Sequence, residues 1–323
     1  MPESNIPLAP VVILAGGLSH ERDVSIRSGR RVATALRRVG HQVTEADLTA
    51  DLVPLVTSGD TKPVVFPMLH GATGEDGALR EVLGLLGVGF VGSSGHACRV
   101  TFDKSIAGTV VARAGMNVPE QVALPHDIFR ELGARPLVAA LGERLGFPLM
   151  VKPARSGSAL GATKVESADA LPQALVAAFA YDPTAVVERY IEGTEVAITV
   201  IVEGDDREVL PAVQIQPESG IYDYAARYTA GSTRFIVPAK IDQDARQRSE
   251  SLSLAVVERL GLTGIVRVDL IIDGGGQPWF LEANVAPGMT ETSLVPLAMH
   301  AAGLDLGEVC SRLVQAAATG TGR

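Results

Sequence analysis

Two apolar runs near the C-terminal end finish on groups able to do chemistry: Val266-Arg267-Val268-Asp269 and Glu282-Ala283-Asn284-Val285-Ala286-Pro287-Gly288-Met289-Thr290. Asp269, Glu282 and Asn284 offer oxygen ligands only, which suits hard Mg²⁺ and not zinc or iron. Mg²⁺ seldom sits in an all-protein cage and usually bridges a few carboxylates to substrate phosphates. The pattern therefore suits a bound nucleoside triphosphate, with Arg267 close to the group being transferred. A surface hairpin with solvated carboxylates would carry the same spacing. The other motifs decide between the two.

Each of those motifs has an ordinary reading beside a functional one. Gly16-Gly17-Leu18-Ser19-His20-Glu21-Arg22-Asp23-Val24-Ser25 is either a tight turn capped by Ser19, or a loop whose Glu21 holds a substrate ammonium group at a strand end. His70-Gly71-Ala72-Thr73-Gly74-Glu75-Asp76-Gly77 follows an apolar run, and its glycines permit close backbone approach. His70 is there a loop histidine or a site residue, and Glu75-Asp76 can simply start the next helix.

Lys104 stands at a predicted helix start. Lys152 closes an apolar run just before Pro153-Ala154-Arg155-Ser156-Gly157-Ser158-Ala159, where the N–H groups of Gly157, Ser158 and Ala159 can cradle an anion. The Walker A spacing is absent, so phosphates would be gripped by a hairpin between strands. Glu188 and Glu195 flank Tyr190-Ile191 and read as solvated acids, or as acceptors for an adenine amine and ribose hydroxyls. Tyr222-Asp223-Tyr224-Ala225-Ala226-Arg227-Tyr228 lies in the polar stretch 216–234, which lacks core periodicity and reads as a lid closing on substrate.

These groups need a scaffold, and composition says which kind. A chain of 323 residues, 46% hydrophobic but only 4% aromatic, can bury two or three cores built from Ala, Val, Leu and Ile. That residue set suits strands covered by helices. The net charge of −9 argues against nucleic acid or anionic membrane as partner, so anionic substrates fall to a few placed Lys and Arg side chains. Cys98 and Cys310 make neither a metal spacing nor a disulfide framework, which fits a reducing cytoplasm. The run 11–15 is too short for a signal-peptide core, and no stretch approaches the roughly 20 apolar residues that span a bilayer.

Periodicity divides the chain into three α/β units. Residues 1–94 alternate strand and helix signals, with strands over 10–15, 41–46 and 63–68 and helices from Glu21 and over 79–86. Such alternation implies a parallel sheet with ligand loops at the carboxyl ends of its strands. Residues 95–187 carry helices over 103–114, 132–145 and 171–180 and strands near 121–123, 149–152 and 161–165. Residues 188–323 hold strands near 196–202 and 209–213, a helix over 242–260, the two candidate metal-bearing strands and two closing helices. No internal repeat is visible.

In order and spacing, GGLSHERDVS, HGATGEDG, the Asp103-Lys104 pair, VKPARSGSALG, VERYIEGTE, YDYAARY, VRVDL and EANVAPGMTETS resemble the D-alanine–D-alanine ligases of the ATP-grasp superfamily. The resemblance covers nearly the whole chain and implies a three-domain architecture, an N-terminal parallel-sheet domain followed by the ATP-grasp pair. It implies ATP as substrate, phosphorylation of the first D-alanine's carboxylate, and attack on the acyl phosphate by the second one's amine, in peptidoglycan precursor synthesis. By motif, Lys104, Lys152 and the loop at Gly157 and Ser158 take the phosphates, and Glu188, Ile191 and Glu195 take adenine and ribose. Asp269, Glu282 and Asn284 take two Mg²⁺, with Mn²⁺ as a substitute.

Glu21 takes the first ammonium, with His70 lining the same pocket. Arg267 and the Gly288 N–H take the oxyanion, while Ser293 and the Leu294 N–H take the second substrate's carboxylate. Tyr228, Ser158 and Glu21 form a hydrogen-bonded set, and Arg227 stands where the lid's usual Lys is found. A homodimer is the family's usual state. The chain departs from the family's R-E-G-S-S-V-G at Ser156, Ala159 and Leu160, and from E-x-N-T at Val285. A ligase of the same chemistry for another D-amino acid or a D-hydroxy acid is the near alternative. Retention of Tyr at 228 favours an amide product. Other ATP-grasp enzymes are expected to lack the tyrosine lid, and a non-enzymatic relative to lack Asp269, Glu282 or Arg267.

Overall fold

The computed structural model describes residues 8–59, 61–229 and 231–320, apart from the side chains of Ala225 and Tyr228. The first unit comprises β1 (Val11–Leu14), α1 (Arg22–Arg38), β2 (Val43–Ala46), α2 (Leu52–Thr57), β3 (Val64–Pro67), α3 (Ala72–Glu75) and α4 (Ala78–Leu85). Its strands pair in the order β2-β1-β3, all parallel. VVIL and VVFP are wholly apolar because both faces of this sheet are covered. Val32 and Leu36 of α1 pack with Val11 and Ile13, while Leu52, Leu79 and Leu83 pack with Val12 and Leu14.

The chain continues through α5 (Gly95–Phe102) and α6 (Lys104–Arg113) to β4 (Gln121–Pro125), α7 (His126–Leu132), α8 (Ala134–Leu145), β5 (Leu149–Pro153), β6 (Thr163–Val165), α9 (Leu171–Phe179) and β7 (Thr184–Arg189). The four strands form an antiparallel sheet in the order β4-β7-β5-β6. The helix expected over 132–145 runs over 134–145, and a further short helix, α7, precedes it; the two are separated at Gly133, whose φ of 88° interrupts the helical path.

The last unit runs β8 (Gly193–Glu203), β9 (Asp206–Val209), β10 (Val213–Pro217), α10 (Tyr224–Tyr228), β11 (Thr233–Ile236), α11 (Gln243–Leu260), β12 (Gly264–Asp273), β13 (Pro278–Asn284), α12 (Leu294–Ala301) and α13 (Leu306–Thr319). Its sheet has the order β11-β10-β8-β12-β13, with β9 on β8. The polar stretch 216–234 is a hairpin, since Gln216 pairs with Arg234 and α10 sits in the turn region.

Two segments pack away from the units in which sequence placed them. Ala97, Cys98, Ala107 and Val111 of α5 and α6 share a core with Val196, Val256 and Val266, so these helices cover the third sheet. Strand β7 stays in the second sheet through Arg189, with Glu188 opposite Gln121 and Met150, so the chain leaves that sheet after residue 189 and not at 187. The first and third sheets share one further core through α1, α12 and α13. Among the described residues no helix is long and apolar enough to cross a membrane.

Candidate functional site

The floor of the site is the β12–β13 pair. Asp269 stands opposite Glu282 and Arg267 opposite Asn284. Side chains alternate along a strand, so these four groups share one face. The register slips between Asp269 and Leu270, where Leu281 is the extra residue on β13. This bulge brings Leu281 and Glu282, neighbours in sequence, onto the wall of the same cavity.

Arg267 and Asp269 are both buried and form a two-pronged pair, Nε to Oδ1 and Nη2 to Oδ2, each at 2.7 Å. Burial pushes the Asp269 carboxyl upward against the pull of Arg267. At Glu282 burial likewise opposes ionisation, but Lys104, Arg227, Arg267 and Lys152 hold the carboxyl down at about 2. The Lys104 Nζ lies 3.2 Å from Glu282 Oε2 and donates to the Ser156 carbonyl at 2.6 Å. Facing carboxylates with an amide oxygen two residues along form an oxygen-only donor set on one face, and such a set fits Mg²⁺.

Two cavities meet over this floor, sharing Lys104, Arg227 and Glu282 as walls. The smaller, about 130 Å³, lies between the second and third sheets and is lined by Met150, Lys152, Glu188, Ile191, Glu195 and Leu281. Lys152 donates to Glu188 Oε1 at 2.7 Å. Burial pushes the Glu195 carboxyl up to about 7, with Arg227 opposing and Asp269 and Glu282 reinforcing.

The larger cavity, about 730 Å³, lies between the first and third sheets. Glu21 enters it from the start of α1 and accepts a hydrogen bond from Ser158 Oγ on the β5–β6 loop. That loop approaches so closely that a Cβ on Gly157 would stand 2.6 Å from Glu21 Oε2. Ser158 and Ala159 adopt φ values of 52° and 55°, a left-handed conformation that costs non-glycine residues energy. His70 Nδ1 lies 2.9 Å from the Ala286 carbonyl. A carbonyl only accepts, so Nδ1 carries the proton and Nε2 is a lone pair, buried without a partner among the described residues. Burial lowers the affinity of the ring for a second proton.

The loop after β13 is held by α1. Ser28 Oγ accepts from the Met289 N–H at 2.9 Å, and Arg31 Nη1 donates to the Met289 and Thr290 carbonyls at 3.2 and 2.8 Å. Ser293 Oγ, on the residue just before α12, accepts the Thr290 N–H at 3.1 Å. On the lid, the Arg227 guanidinium lies 4.3 Å from the Tyr222 ring centre, and Tyr222 meets Phe235 edge-on at 6.2 Å.

Every candidate residue from the sequence other than Tyr228 lines one of the two cavities. The Tyr228 side chain lies outside the described residues. Sequence reasoning missed Met150, Leu281, Phe235, Ser28 and Arg31, and it gave Glu75, in a loop read as either a helix start or a site, no role of its own. An apolar strand residue facing a nucleotide looks like any core residue, and the bulge that turns Leu281 inward leaves no mark in composition.

Residues 110–315 match the family model for the D-ala D-ala ligase C-terminus. The D-alanine–D-alanine ligase of Anaeromyxobacter sp. is 40% identical over 308 residues, covering 95% of this chain and 96% of the relative. That of Moorella thermoacetica is 37% identical over 308 residues, covering 95% and 98%. Among solved structures, the VanG D-Ala:D-Ser ligase from Enterococcus faecalis superposes with a TM-score of 0.83 at 28% identity, covering 96% of this chain and 99% of that one. The Bacillus anthracis D-alanine–D-alanine ligase complexed with ATP gives 0.81 at 26% identity, covering 97% and 98%. With its fold and its relatives in agreement, this chain belongs to the D-alanine–D-alanine ligase family.

Proposed function

We propose that the protein joins two D-alanines to D-Ala-D-Ala, converting ATP to ADP and phosphate, for peptidoglycan precursor synthesis in the cytoplasm, and that it works as a homodimer. The observation that carries this reading is the junction, at Lys104 and Glu282, of a slot between the second and third sheets and a larger cavity lined by both acidic and basic side chains. Adenine and ribose lie along Met150, Ile191, Leu281, Glu188 and Glu195, and the phosphates point toward Lys152, Lys104 and the Gly157–Ser158 backbone. The first D-alanine places its ammonium on Glu21 and its carboxylate toward the γ-phosphate. Its carboxylate oxygen takes the γ-phosphoryl group as ADP departs. The amine of the second D-alanine, having lost a proton, then attacks the acyl carbon, and phosphate leaves as the amide forms.

Two Mg²⁺ held by Asp269, Glu282 and Asn284, with Mn²⁺ as a substitute, would neutralise the anionic charge that gathers where phosphates and carboxylate meet. Arg267 and the Gly288 N–H stabilise the oxyanion of the tetrahedral intermediate. Ser293 and the Leu294 N–H, at the start of α12, take the carboxylate of the second D-alanine. Arg227 and Tyr228 ride on the lid hairpin, and Ser158 ties its neighbouring loop to Glu21.

The test is phosphate release with ATP, Mg²⁺ and D-alanine, with mass spectrometry of the product and D-serine and D-lactate offered in competition. The expected result is D-Ala-D-Ala at one ADP per dipeptide. Nucleotide binding with no dipeptide from D-alanine would overturn the substrate assignment.

A further inference from the structure

Glu75 is the one buried acid of the larger cavity that the scheme above leaves without work. It sits at the end of the short helix α3 and is 8% exposed. Its Oε1 accepts the Gly71 N–H at 2.8 Å, while Oε2 has no hydrogen-bond partner among the described residues and belongs to a side chain that lines the cavity. The turn that presents it is fixed on both sides. A Cβ on Gly74 would stand 2.0 Å from the Leu69 carbonyl oxygen, and the buried Arg80 of α4 donates to the Gly74 carbonyl. Among the described residues Arg80 makes no ion pair, and its Nη1 is engaged with the backbone that carries Glu75.

The charged and titratable groups that Glu75 faces come from four elements: Glu21 at the start of α1, Lys104 of α6, Glu282 of β13 and Cys98 of α5. Glu21 and Glu282 mark the two ends of the path that the first amino acid must bridge, from ammonium to the phosphate being transferred. Glu75 lines the same cavity, so it is within the wall along which the carboxylate of that amino acid would be placed. Two carboxylates facing one another without a cation between them would repel. Burial, reinforced by Glu21, pushes the Glu75 carboxyl up to about 8, so near neutrality the group is an acid with a proton to donate. With Oε1 accepting from Gly71, the proton is placed on Oε2, the other oxygen of a side chain that lines the cavity.

Resting on the ligase reading, we propose that Glu75 is a further substrate-contacting residue, which donates a hydrogen bond from Oε2 to the carboxylate of the first D-alanine and orients it for phosphorylation. The contact selects the substrate that carries a carboxylate acceptor at this point. It fails when Glu75 ionises, because the acceptor then meets a second anion.

The test compares wild type with the Glu75→Gln and Glu75→Ala variants in dipeptide formation, measuring kcat/KM for D-alanine at pH values on either side of about 8. In wild type kcat/KM falls as pH rises through that value. Glu75→Ala loses roughly ten- to a hundredfold at neutral pH, the worth of one hydrogen bond to a charged group. Glu75→Gln loses less, because its amide still donates, and it lacks the alkaline fall seen in wild type. ADP affinity, measured separately, stays at the wild-type value in both variants and reports an intact fold. A Glu75→Gln enzyme as impaired as Glu75→Ala, or one that keeps the wild-type alkaline fall, would overturn the proposal. Failure of wild type to form dipeptide would instead overturn the ligase reading.

Discussion

At Glu282 two forces oppose each other, and charge wins. Burial alone would keep this carboxyl protonated, yet the cations around it hold it ionised down to about pH 2. Lys104 depends on it in turn, since the pair is mostly enclosed at 3.2 Å. Glu282→Gln therefore removes both the anion proposed to bind metal and the partner of a buried ammonium. We expect dipeptide formation to fall by at least about a hundredfold, comparable to losing a principal electrostatic stabiliser. The far-UV circular dichroism should stay native, and near-normal turnover in this variant would refute the metal assignment. Glu282, Asp269 and Arg267 were legible in the sequence because charged residues ending apolar strands have few structural excuses. Glu75 was not, because its role comes from what buries it, and sequence spacing says nothing of burial.

At the scale of elements, the turn from β3 through α3 is built by exclusion. Gly74 has no room for a side chain against the Leu69 carbonyl, so Gly74→Ala must push α3 away from β3. This should lower the thermal midpoint and raise the KM for D-alanine, while the KM for ATP changes little because the nucleotide slot lies between other sheets. Equal rises in both KM values would show that the turn does not serve the amino-acid cavity specifically. Strands and helices were mostly readable from periodicity. The short helix α7 before Gly133 was not, since seven residues are too few to show a clear helical period. Nor was the home of α5 and α6. Their apolar faces are visible in sequence, but the choice between the second and third sheets as partner is made in three dimensions.

For the molecule as a whole, buried acids tie stability to pH. The Glu75 and Glu195 carboxyls titrate near 8 and 7 in the folded chain, against 4.5 for the exposed group. Between the unfolded and folded values the native state holds protons that the unfolded state has released. Stability therefore falls as pH rises through this window. Glu282 acts in the opposite sense, since its contribution is present above about 4.5 and is lost as pH falls toward 2. The metal-free, unliganded protein should thus show a thermal midpoint that declines from about pH 5 to about pH 8. Glu75→Gln should flatten the upper part of that decline by several degrees in scanning calorimetry. A wild-type midpoint that is level across the window would contradict these proton affinities.

One helix touches both ends of the amino-acid cavity. Glu21 stands at the entry to α1, and Arg31, about 15 Å further along at 1.5 Å per residue, grips the loop that leads into Ser293. If Glu21 and Ser293 receive the two substrates as proposed, the helix is a gauge, because its rise sets how far apart the ammonium of one guest and the carboxylate of the next are received. A residue inserted between Glu21 and Arg31 would turn one grip about 100° from the other. Dipeptide length is in this sense written into the pitch of a single rod, and a longer or shorter product would call for another rod before it called for another catalyst.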